Sequence, residues 1–208
     1  MSARVAAAVV LLLALLVPTA ARAAETEAVI AVLGDSLTAG LGVAAGDAFP
    51  ARLQARLHRE GYRYRVVNAG VSGDTSAAGL RRVDWILRTR PEIVIVALGA
   101  NDGLRGLAVA PMQSNLTQIV ERLRAEGVRV LIAGMRVPPN YGDDYARRFE
   151  NAFRDVAART GATLMPFLLV GVAGDPTLNQ PDGIHPTAAG HAVIADKVWA
   201  YLRPLLKR

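Results

Sequence analysis

The sequence predicts an α/β fold built on a parallel β-sheet. Short runs of Val, Ile, Leu and Ala alternate along the chain with segments whose apolar residues recur every three or four positions. The runs lack the apolar–polar alternation of a half-exposed strand, which is typical of strands buried on both faces. Regular alternation of such strands with amphipathic helices predicts a parallel sheet covered by helices.

Five of the runs are predicted strands, and the segments between them are predicted helices. The strands cover residues 28–33, 64–68, 93–98, 128–133 and 162–165. Four apolar helix faces come from Phe49, Leu53 and Leu57; from Leu80, Val83, Ile86 and Leu87; from Leu116, Ile119, Val120 and Leu123; and from Tyr145, Phe149, Phe153 and Val156. A last helix is expected over residues 187–205, with Thr187 as its N-cap after Pro186.

Residues 1–23 have the features of a secretory signal peptide. Arg4 gives a positive start, residues 5–17 are almost continuously apolar, Pro18 ends the run, and residues 21–23 read Ala-Arg-Ala. A membrane anchor is the alternative, but 13 apolar residues fall short of the roughly 20 that a spanning helix needs. Since no Cys follows the apolar run, a lipoprotein is excluded. We therefore expect cleavage and a single mature domain, residues 24–208, in the periplasm or secreted.

The composition narrows the possible chemistry and partners. The chain has no cysteine, which excludes disulfides, cysteine catalysis and thiolate metal sites. It has 24 basic and 18 acidic residues, and residues 24–208 keep 22 and 18, a net charge of +4. Arginines such as Arg81, Arg82 and Arg147 are scattered, which indicates solvated faces and not the basic stripe of a nucleic-acid-binding protein. The charge is compatible with weak contact with anionic lipid surfaces, and we expect a monomer.

Four short motifs lie where predicted strands end. Gly34-Asp35-Ser36-Leu37 follows the first strand, and Ser72-Gly73-Asp74-Thr75 follows the second. Gly99-Ala100-Asn101-Asp102 follows the third, and Asp182-Gly183-Ile184-His185-Pro186 lies in the long loop after the fifth. Ligands of such sheets bind beyond the carboxyl ends of the strands. These distant motifs are therefore expected to converge at one edge of the sheet.

The motifs contain the parts of a serine hydrolase. The hydroxyl of Ser36 needs a base to act as a nucleophile at neutral pH. Of the three histidines, His58 falls among charged residues of a helical segment and is expected on the solvated surface. His191 lies in the last helix and is expected to be structural or exposed, whereas His185 lies on a loop, where functional residues are more common. His185 is therefore the expected base. Asp182, three residues earlier, is close enough to accept from its imidazole and orient it.

A tetrahedral intermediate also needs hydrogen-bond donors aimed at its oxyanion. Asn101 offers a side-chain amide, and Gly73 offers a backbone N–H that no side chain obstructs. The backbone N–H of Ser36 is the third candidate donor. Gly73 and Asn101 would each also fit a plain turn. The ordered set of motifs, and not any single one, therefore indicates this chemistry.

This set resembles the SGNH, or GDSL, hydrolase family, which is named for a Ser, a Gly, an Asn and a His in separate blocks. Here they match Ser36, Gly73, Asn101 and His185, and the resemblance covers essentially the whole mature chain. It is strongest to a bacterial exported branch of thioesterase I, lysophospholipase and arylesterase enzymes. Ala100 departs from the pattern, since Gly is common at that place. The resemblance implies a flavodoxin-like three-layer α/β/α sandwich with strand order 2-1-3-4-5.

The resemblance also implies a serine esterase that forms an acyl-enzyme on Ser36. Its substrates would be acyl or aryl esters, lysophospholipids or acyl thioesters, which the sequence does not rank. Candidates for an acyl-chain site are five apolar residues, which ordinary core packing explains equally well: Leu104, Leu107, Val137, Leu168 and Leu169. A carbohydrate acetylesterase is the second interpretation. A non-catalytic lipid- or glycan-binding module is a third, against which the intact set of motifs argues.

Two rival interpretations involve a cofactor or a metal. Residues 40–46 resemble a dinucleotide-binding loop but have one residue too many before the last glycine. Asp182, His185 and His191 form, by residue type, an alternative metal site that would not need Ser36 or Asn101. We therefore expect no cofactor and no metal. If Asp182 does not orient His185, the next candidate acid is Asp175.

Overall fold

The computed structural model describes residues 27–208 and has the predicted parallel sheet. Its strands are β1 (Ala28–Gly34), β2 (Tyr64–Gly70), β3 (Ile93–Ala97), β4 (Arg129–Ala133) and β5 (Thr163–Met165). All five predicted strands are confirmed, and their ends differ from the prediction by no more than two residues. The strands are parallel and lie in the order β2-β1-β3-β4-β5, which confirms the order that the family resemblance implied.

Helices fill the connections between the strands. They are α1 (Ser36–Ala39), α2 (Phe49–Arg59), α3 (Ser76–Arg81), α4 (Val83–Arg88), α5 (Ala100–Leu104), α6 (Val109–Ala125), α7 (Asp143–Thr160) and α8 (Ala188–Leu202). Single 3₁₀ turns cover Ala45–Asp47, Pro139–Tyr141 and Arg203–Leu205. The helices that follow β1, β2, β3 and β4 therefore lie in the crossover connections of a parallel sheet.

The strand order places helices on both faces of the sheet. The chain steps outward from β1 to β2 in one direction and from β3 to β5 in the other. Right-handed crossovers then put α2 on one face and α3, α4, α6 and α7 on the opposite face. In agreement, α2 packs against α8, and α6 packs against α3 and α7. The result is the three-layer α/β/α sandwich that was expected.

The three central strands form the middle of the hydrophobic core. Ile30 in β1, Val94 in β3 and Leu131 in β4 are fully buried. The expectation that all five strands are buried on both faces is wrong for β2, in which Arg65 and Asn68 are exposed. The reason is its place at the edge of the sheet, with β1 as its one neighbouring strand.

Two helix predictions need correction at their ends. The predicted apolar face over residues 80–87 is divided at Arg82, where α3 ends and α4 begins. The last helix ends at Leu202 and continues as a 3₁₀ turn, because Pro204 lacks an N–H and its ring cannot fit a continuing α-helix. Its predicted start is confirmed, since Thr187 accepts a hydrogen bond from the backbone N–H of Gly190 at 3.3 Å.

Glycines at two strand ends let α1 lie close to the edge of the sheet. Gly34 pairs with Gly70 and with Ala97, so β1, β2 and β3 end at the same level. A Cβ on Gly34 would lie 2.0 Å from Thr38 Oγ1, and a Cβ on Gly70 would lie 2.2 Å from Ala39 N. Only glycine fits these two positions. Because the three strands end at the same level, the loops that follow them begin side by side.

The predicted signal peptide, residues 1–23, lies outside the described residues. Between residues 27 and 208, none of the helices combines the length and the apolar character that crossing a membrane requires. The buried apolar residues of this part of the chain form one continuous cluster.

His191 is buried inside the fold, whereas His58 is exposed as predicted. The ring of His191 stacks on Phe49 with centroids 6.4 Å apart, and its Nδ1 accepts the backbone N–H of Phe49 at 3.3 Å. Burial lowers the pKa of His191 to about 4, because the imidazolium form is penalised away from water. His191 is thus a structural residue, one of the two outcomes expected from sequence.

The titration of His191 should cost the folded protein stability as the pH falls from about 6.5 towards 4. In the unfolded chain His191 has its ordinary pKa of 6.5, whereas in the folded chain its pKa is about 4. Between these two pH values unfolding is coupled to the uptake of a proton, so a lower pH favours the unfolded chain. His191→Asn keeps an acceptor for Phe49 but does not titrate. The drop in Tm between about pH 7.5 and about pH 5 should be smaller in the variant. Equal drops in both proteins would contradict the assignment.

Candidate active site

The predicted motifs converge at the carboxyl edge of the sheet. Ser36 is the first residue of α1, two positions after β1, and Asn101 lies in the first turn of α5 after β3. Asp182 and His185 belong to the loop between β5 and α8. Ser36, Asn101 and His185 line one cavity. Parallel strands therefore bring together side chains that are far apart in the sequence.

Ser36, His185 and Asp182 form a continuous chain of hydrogen bonds. His185 Nε2 lies 2.9 Å from Ser36 Oγ, and His185 Nδ1 lies 2.7 Å from Asp182 Oδ2. Asp182 Oδ1 accepts the backbone N–H groups of His185 and Ile184, each at 3.0 Å. These hydrogen bonds, with that of His185 first, lower the pKa of Asp182 to about 2. The ionised carboxylate accepts from Nδ1, which leaves Nε2 free to accept a proton from Ser36.

The loop that carries His185 is held by backbone turns and by one glutamine. Gly183 has a φ of +73°, a left-handed conformation that favours glycine, and it closes the turn between Asp182 and His185. Gln180 holds the loop in place, because its Nε2 donates to Leu41 O at 2.7 Å and to Pro186 O at 2.9 Å. The loop is therefore fastened to the segment that follows α1, next to Ser36.

Asp35 is a buried carboxylic acid beside Ser36, and sequence reasoning missed its part in the site. Its Oδ1 accepts the backbone N–H of Leu37 at 3.0 Å and caps α1, while Oδ2 lies 3.4 Å from Asn101 Nδ2. Burial raises the pKa of Asp35 to about 6. The sequence placed this residue in a motif, but no pattern in the sequence shows whether an acid next to Ser36 is buried or exposed.

Of the candidate oxyanion donors on the loops after β2 and β3, Asn101 lies in the wall of the cavity and Gly73 does not. Asn101 is half-buried and lines the cavity, and its Nδ2 donates to the backbone carbonyl of Asp74 at 3.0 Å. Gly73 lies in the exposed turn after β2, and its carbonyl accepts from Arg105 at 2.9 Å. Gly73 does not line the cavity. Ala100, the departure from the family pattern, is nearly buried and does line it.

Asp102 links the segments that carry these donors. It is 4% exposed, and its two carboxylate oxygens accept the backbone N–H and the hydroxyl of Ser76 at 2.7 and 2.6 Å. Asn115 on α6 donates to the same hydroxyl at 3.0 Å. This buried network joins the start of α3 to α5, and its partners are too far apart in the sequence to be predicted from it.

The cavity beside Ser36 has a volume of about 460 Å³ and a mainly apolar wall. Leu104, Val137 and Leu169 line it, and so do Met135, Phe167 and Ile184. The expectation that Leu107 and Leu168 also line it is wrong. Leu168 is 1% exposed and packs in the core, and Leu107 is 43% exposed on the loop after α5.

The structure does not support the two rival interpretations. Residues 40–46 do not enter a long helix, because α1 ends before Gly40, which has a φ of +78°, and a 3₁₀ turn follows. A dinucleotide loop instead opens a helix directly. Among residues 27–208, no three His, Cys, Asp or Glu side chains cluster closely enough to hold a metal. The alternative metal site of Asp182, His185 and His191 is therefore not formed.

Comparison with known proteins agrees with the geometry. The sequence model of the GDSL-like Lipase/Acylhydrolase family matches residues 32–193. The chain belongs to this family. It is 46% identical over 195 residues to "Esterase TesA" of Pseudomonas aeruginosa, which covers 93% of this chain and 96% of that protein. It is 37% identical over 186 residues to "Thioesterase 1/protease 1/lysophospholipase L1" of Escherichia coli K12, which covers 89% of this chain and 88% of that protein.

Two solved structures have the same fold. A crystal structure of TesA matches with a TM-score of 0.84 and 46% identity, over 86% of this chain and 99% of that one. The psychrotrophic esterase EstA from Pseudoalteromonas sp. matches with a TM-score of 0.81 and 35% identity, over 85% of this chain and 97% of that one. The predicted family, the α/β fold and the prediction of an ester-cleaving hydrolase are thereby confirmed.

Replacing Asp182 by Asn should lower kcat/KM by about 10³–10⁴, because Asn no longer holds His185 in the tautomer that leaves Nε2 facing Ser36. The comparison is made on the plateau of the kcat/KM profile. Asp175→Asn is the matched control, since Asp175 lies on the same loop and accepts from Thr177 instead. A normal plateau in the Asp182 variant, or an equal loss in the control, would show that Asp182 does not orient His185.

Proposed function

We propose that the protein is a serine esterase with Ser36 as nucleophile, His185 as general base and Asp182 as orienting acid. The observation that carries this proposal is the chain of two short hydrogen bonds, 2.9 Å from Ser36 Oγ to His185 and 2.7 Å from His185 to Asp182. A base within hydrogen-bond reach of a nucleophile, itself held by a third group, is the arrangement that activates a hydroxyl.

The reaction then proceeds through two half-reactions. Ser36 Oγ attacks the ester carbonyl while its proton passes to His185 Nε2. The tetrahedral intermediate collapses, the alcohol or thiol leaves with the proton from His185, and the acyl group stays on Ser36. Water next gives a proton to His185 and attacks the acyl-enzyme. Collapse of the second intermediate releases the carboxylic acid and returns the proton to Ser36.

We assign stabilisation of both intermediates to the Asn101 amide and to the backbone N–H groups of Ser36 and Gly73. One N–H of the Asn101 amide is engaged by the carbonyl of Asp74 at 3.0 Å, which fixes the plane of the amide. Its other N–H is held only by a longer contact to Asp35 at 3.4 Å. A donor fixed before the reaction costs no reorganisation when charge develops on the substrate oxygen.

The substrates we propose are carboxylic esters and thioesters with an apolar acyl group. The related proteins carry the names esterase, arylesterase and thioesterase/lysophospholipase. Met135, Phe167 and Leu169 give the cavity apolar walls next to Ser36. Burying each methylene group of an acyl chain against such walls makes binding more favourable, and an acetyl group has too few carbons to benefit much. The lining therefore favours esters with longer acyl chains over the acetyl esters of a carbohydrate acetylesterase.

We also propose that residues 1–23 are removed on export and that residues 24–208 form the mature monomeric domain in the periplasm or outside the cell. The features of the first 23 residues support export. Contact with lipid surfaces is supported by two apolar side chains at the mouth of the cavity, Leu104 and Ile184, which are 39% and 41% exposed. Lipid contact there would present an acyl ester directly to Ser36.

Hydrolysis of p-nitrophenyl esters of increasing acyl length tests the proposed function. We expect kcat/KM to rise by up to about fourfold per methylene group, the factor for burying one such group, until the chain exceeds the cavity. Ser36→Ala should remove this activity, while Ser114→Ala, an exposed serine on α6, should keep it. A maximum at acetate would favour the acetylesterase instead. A folded protein that hydrolyses none of these esters would favour the binding module.

A further inference from the structure

The sequence predicted that Arg82 lies on a solvated face, but the structure shows that it is mostly buried. It lies where α3 gives way to α4, and its side chain is only 23% exposed. Its Nε and Nη2 contact Asp74 Oδ2 at 2.9 and 2.7 Å. Nη1 donates to the carbonyl of Ala69 at 2.9 Å, and Nη2 donates to the carbonyl of Gly34 at 3.2 Å. One guanidinium therefore joins three parts of the chain, through the backbone carbonyls of Gly34 and Ala69 and the carboxylate of Asp74.

Each of these segments leads directly to the candidate active site. Gly34 ends β1 and stands two residues before Ser36. Ala69 lies near the end of β2, which leads into the turn that carries Gly73. Asp74 is the residue after Gly73, and its backbone carbonyl accepts the Asn101 amide at 3.0 Å. The side chain of Asp74 is thus fixed by Arg82, and its main chain fixes Asn101.

A planar guanidinium is suited to this place, and an ammonium group is not. Its five donors point in fixed directions, so it can bind a carboxylate and two carbonyls at the same time. The carboxylate of Asp74, 15% exposed, supplies the opposite charge that a half-buried cation needs. The carbonyls at the ends of β1 and β2 are in turn satisfied at the point where the sheet stops.

We propose that Arg82 is a positioning residue that fixes the Asn101 amide relative to Ser36. The proposal rests on the proposed function, because it takes Ser36 as the nucleophile and Asn101 as a donor. Arg82 acts through Asp74: it holds the turn of Gly73 and Asp74 against the end of β1, and that turn holds the Asn101 amide. Because the donors act on charge that develops in the transition state, loss of Arg82 lowers kcat and leaves KM nearly unchanged.

Arg129 provides a matched control for the stability that such a contact contributes. Its side chain is 27% exposed, it pairs with Glu92 at 2.5 Å, and it donates to the backbone carbonyl of Leu205. These contacts resemble those of Arg82, but they lie at the start of β3 and β4, the opposite edge of the sheet. Arg129→Gln therefore removes a similar set of bonds far from Ser36.

The experiment compares Arg82→Gln and Arg129→Gln in the full chain, with steady-state ester hydrolysis and thermal unfolding. We expect Arg82→Gln to lower kcat by roughly 10–100-fold with KM within about threefold, a loss of the size known for the partners that orient metal ligands. Arg129→Gln should lower Tm but keep kcat within about twofold. In an Asn101→Ala background, Arg82→Gln should cost less than about threefold in kcat, because the donor that it positions is already gone.

Several outcomes would overturn the role of Arg82. They are an equal loss of kcat in the two arginine variants, a loss confined to KM, or a full loss that persists in the Asn101→Ala background. If Arg82→Gln does not fold, Arg82→Lys replaces it, since Lys keeps the charge beside Asp74 but cannot reach both carbonyls. Ser36→Ala is assayed first. Activity that survives it contradicts the proposed function, whereas additivity with Asn101→Ala contradicts only the positioning role.

Discussion

The contact between Ser36 and His185 depends on the parallel sheet more than on any local structure. The two residues are 149 positions apart, and their 2.9 Å hydrogen bond forms because all five strands end at the same edge. Gly34 and Gly70 let α1, which begins at Ser36, lie directly on that edge. Gln180 then fastens the histidine loop to the segment after α1. A shift of either segment would separate Ser36 Oγ from His185 Nε2.

Three carboxylates near this edge have three different environments. Asp182 is exposed and accepts several hydrogen bonds, which lower its pKa to about 2 and keep it ionised beside the imidazole. Asp35 is buried, which raises its pKa to about 6, and it caps α1. Asp102 is buried but satisfied by Ser76. Environment thus separates an acid suited to orient His185 from two acids that hold the backbone around Ser36 and Asn101.

Features that depend on local pattern could be predicted from the sequence. Buried strands appear as apolar runs, and the N-cap Thr187 follows from the residues around it. The site was found because its motifs follow strand ends, which a parallel sheet must bring together. Side-chain direction could not be predicted in the same way: Leu168 and Leu169 are adjacent and equally apolar, yet one packs in the core and the other lines the cavity. The assignment of Arg82 to a solvated face was also wrong, since its side chain is 23% exposed. Its partners lie up to 48 residues away in the sequence, too far for a local pattern to indicate them.

Covalent labelling with a fluorophosphonate tests the central claim most directly, because the probe reacts with an activated serine and does not require the natural substrate. If Ser36 is the nucleophile, each chain takes up one label, which peptide mass spectrometry locates on the segment that contains Ser36, and ester hydrolysis is lost in proportion to labelling. A chain that hydrolyses esters but carries the label on another residue, or takes up none while activity continues, would contradict an acyl-enzyme on Ser36.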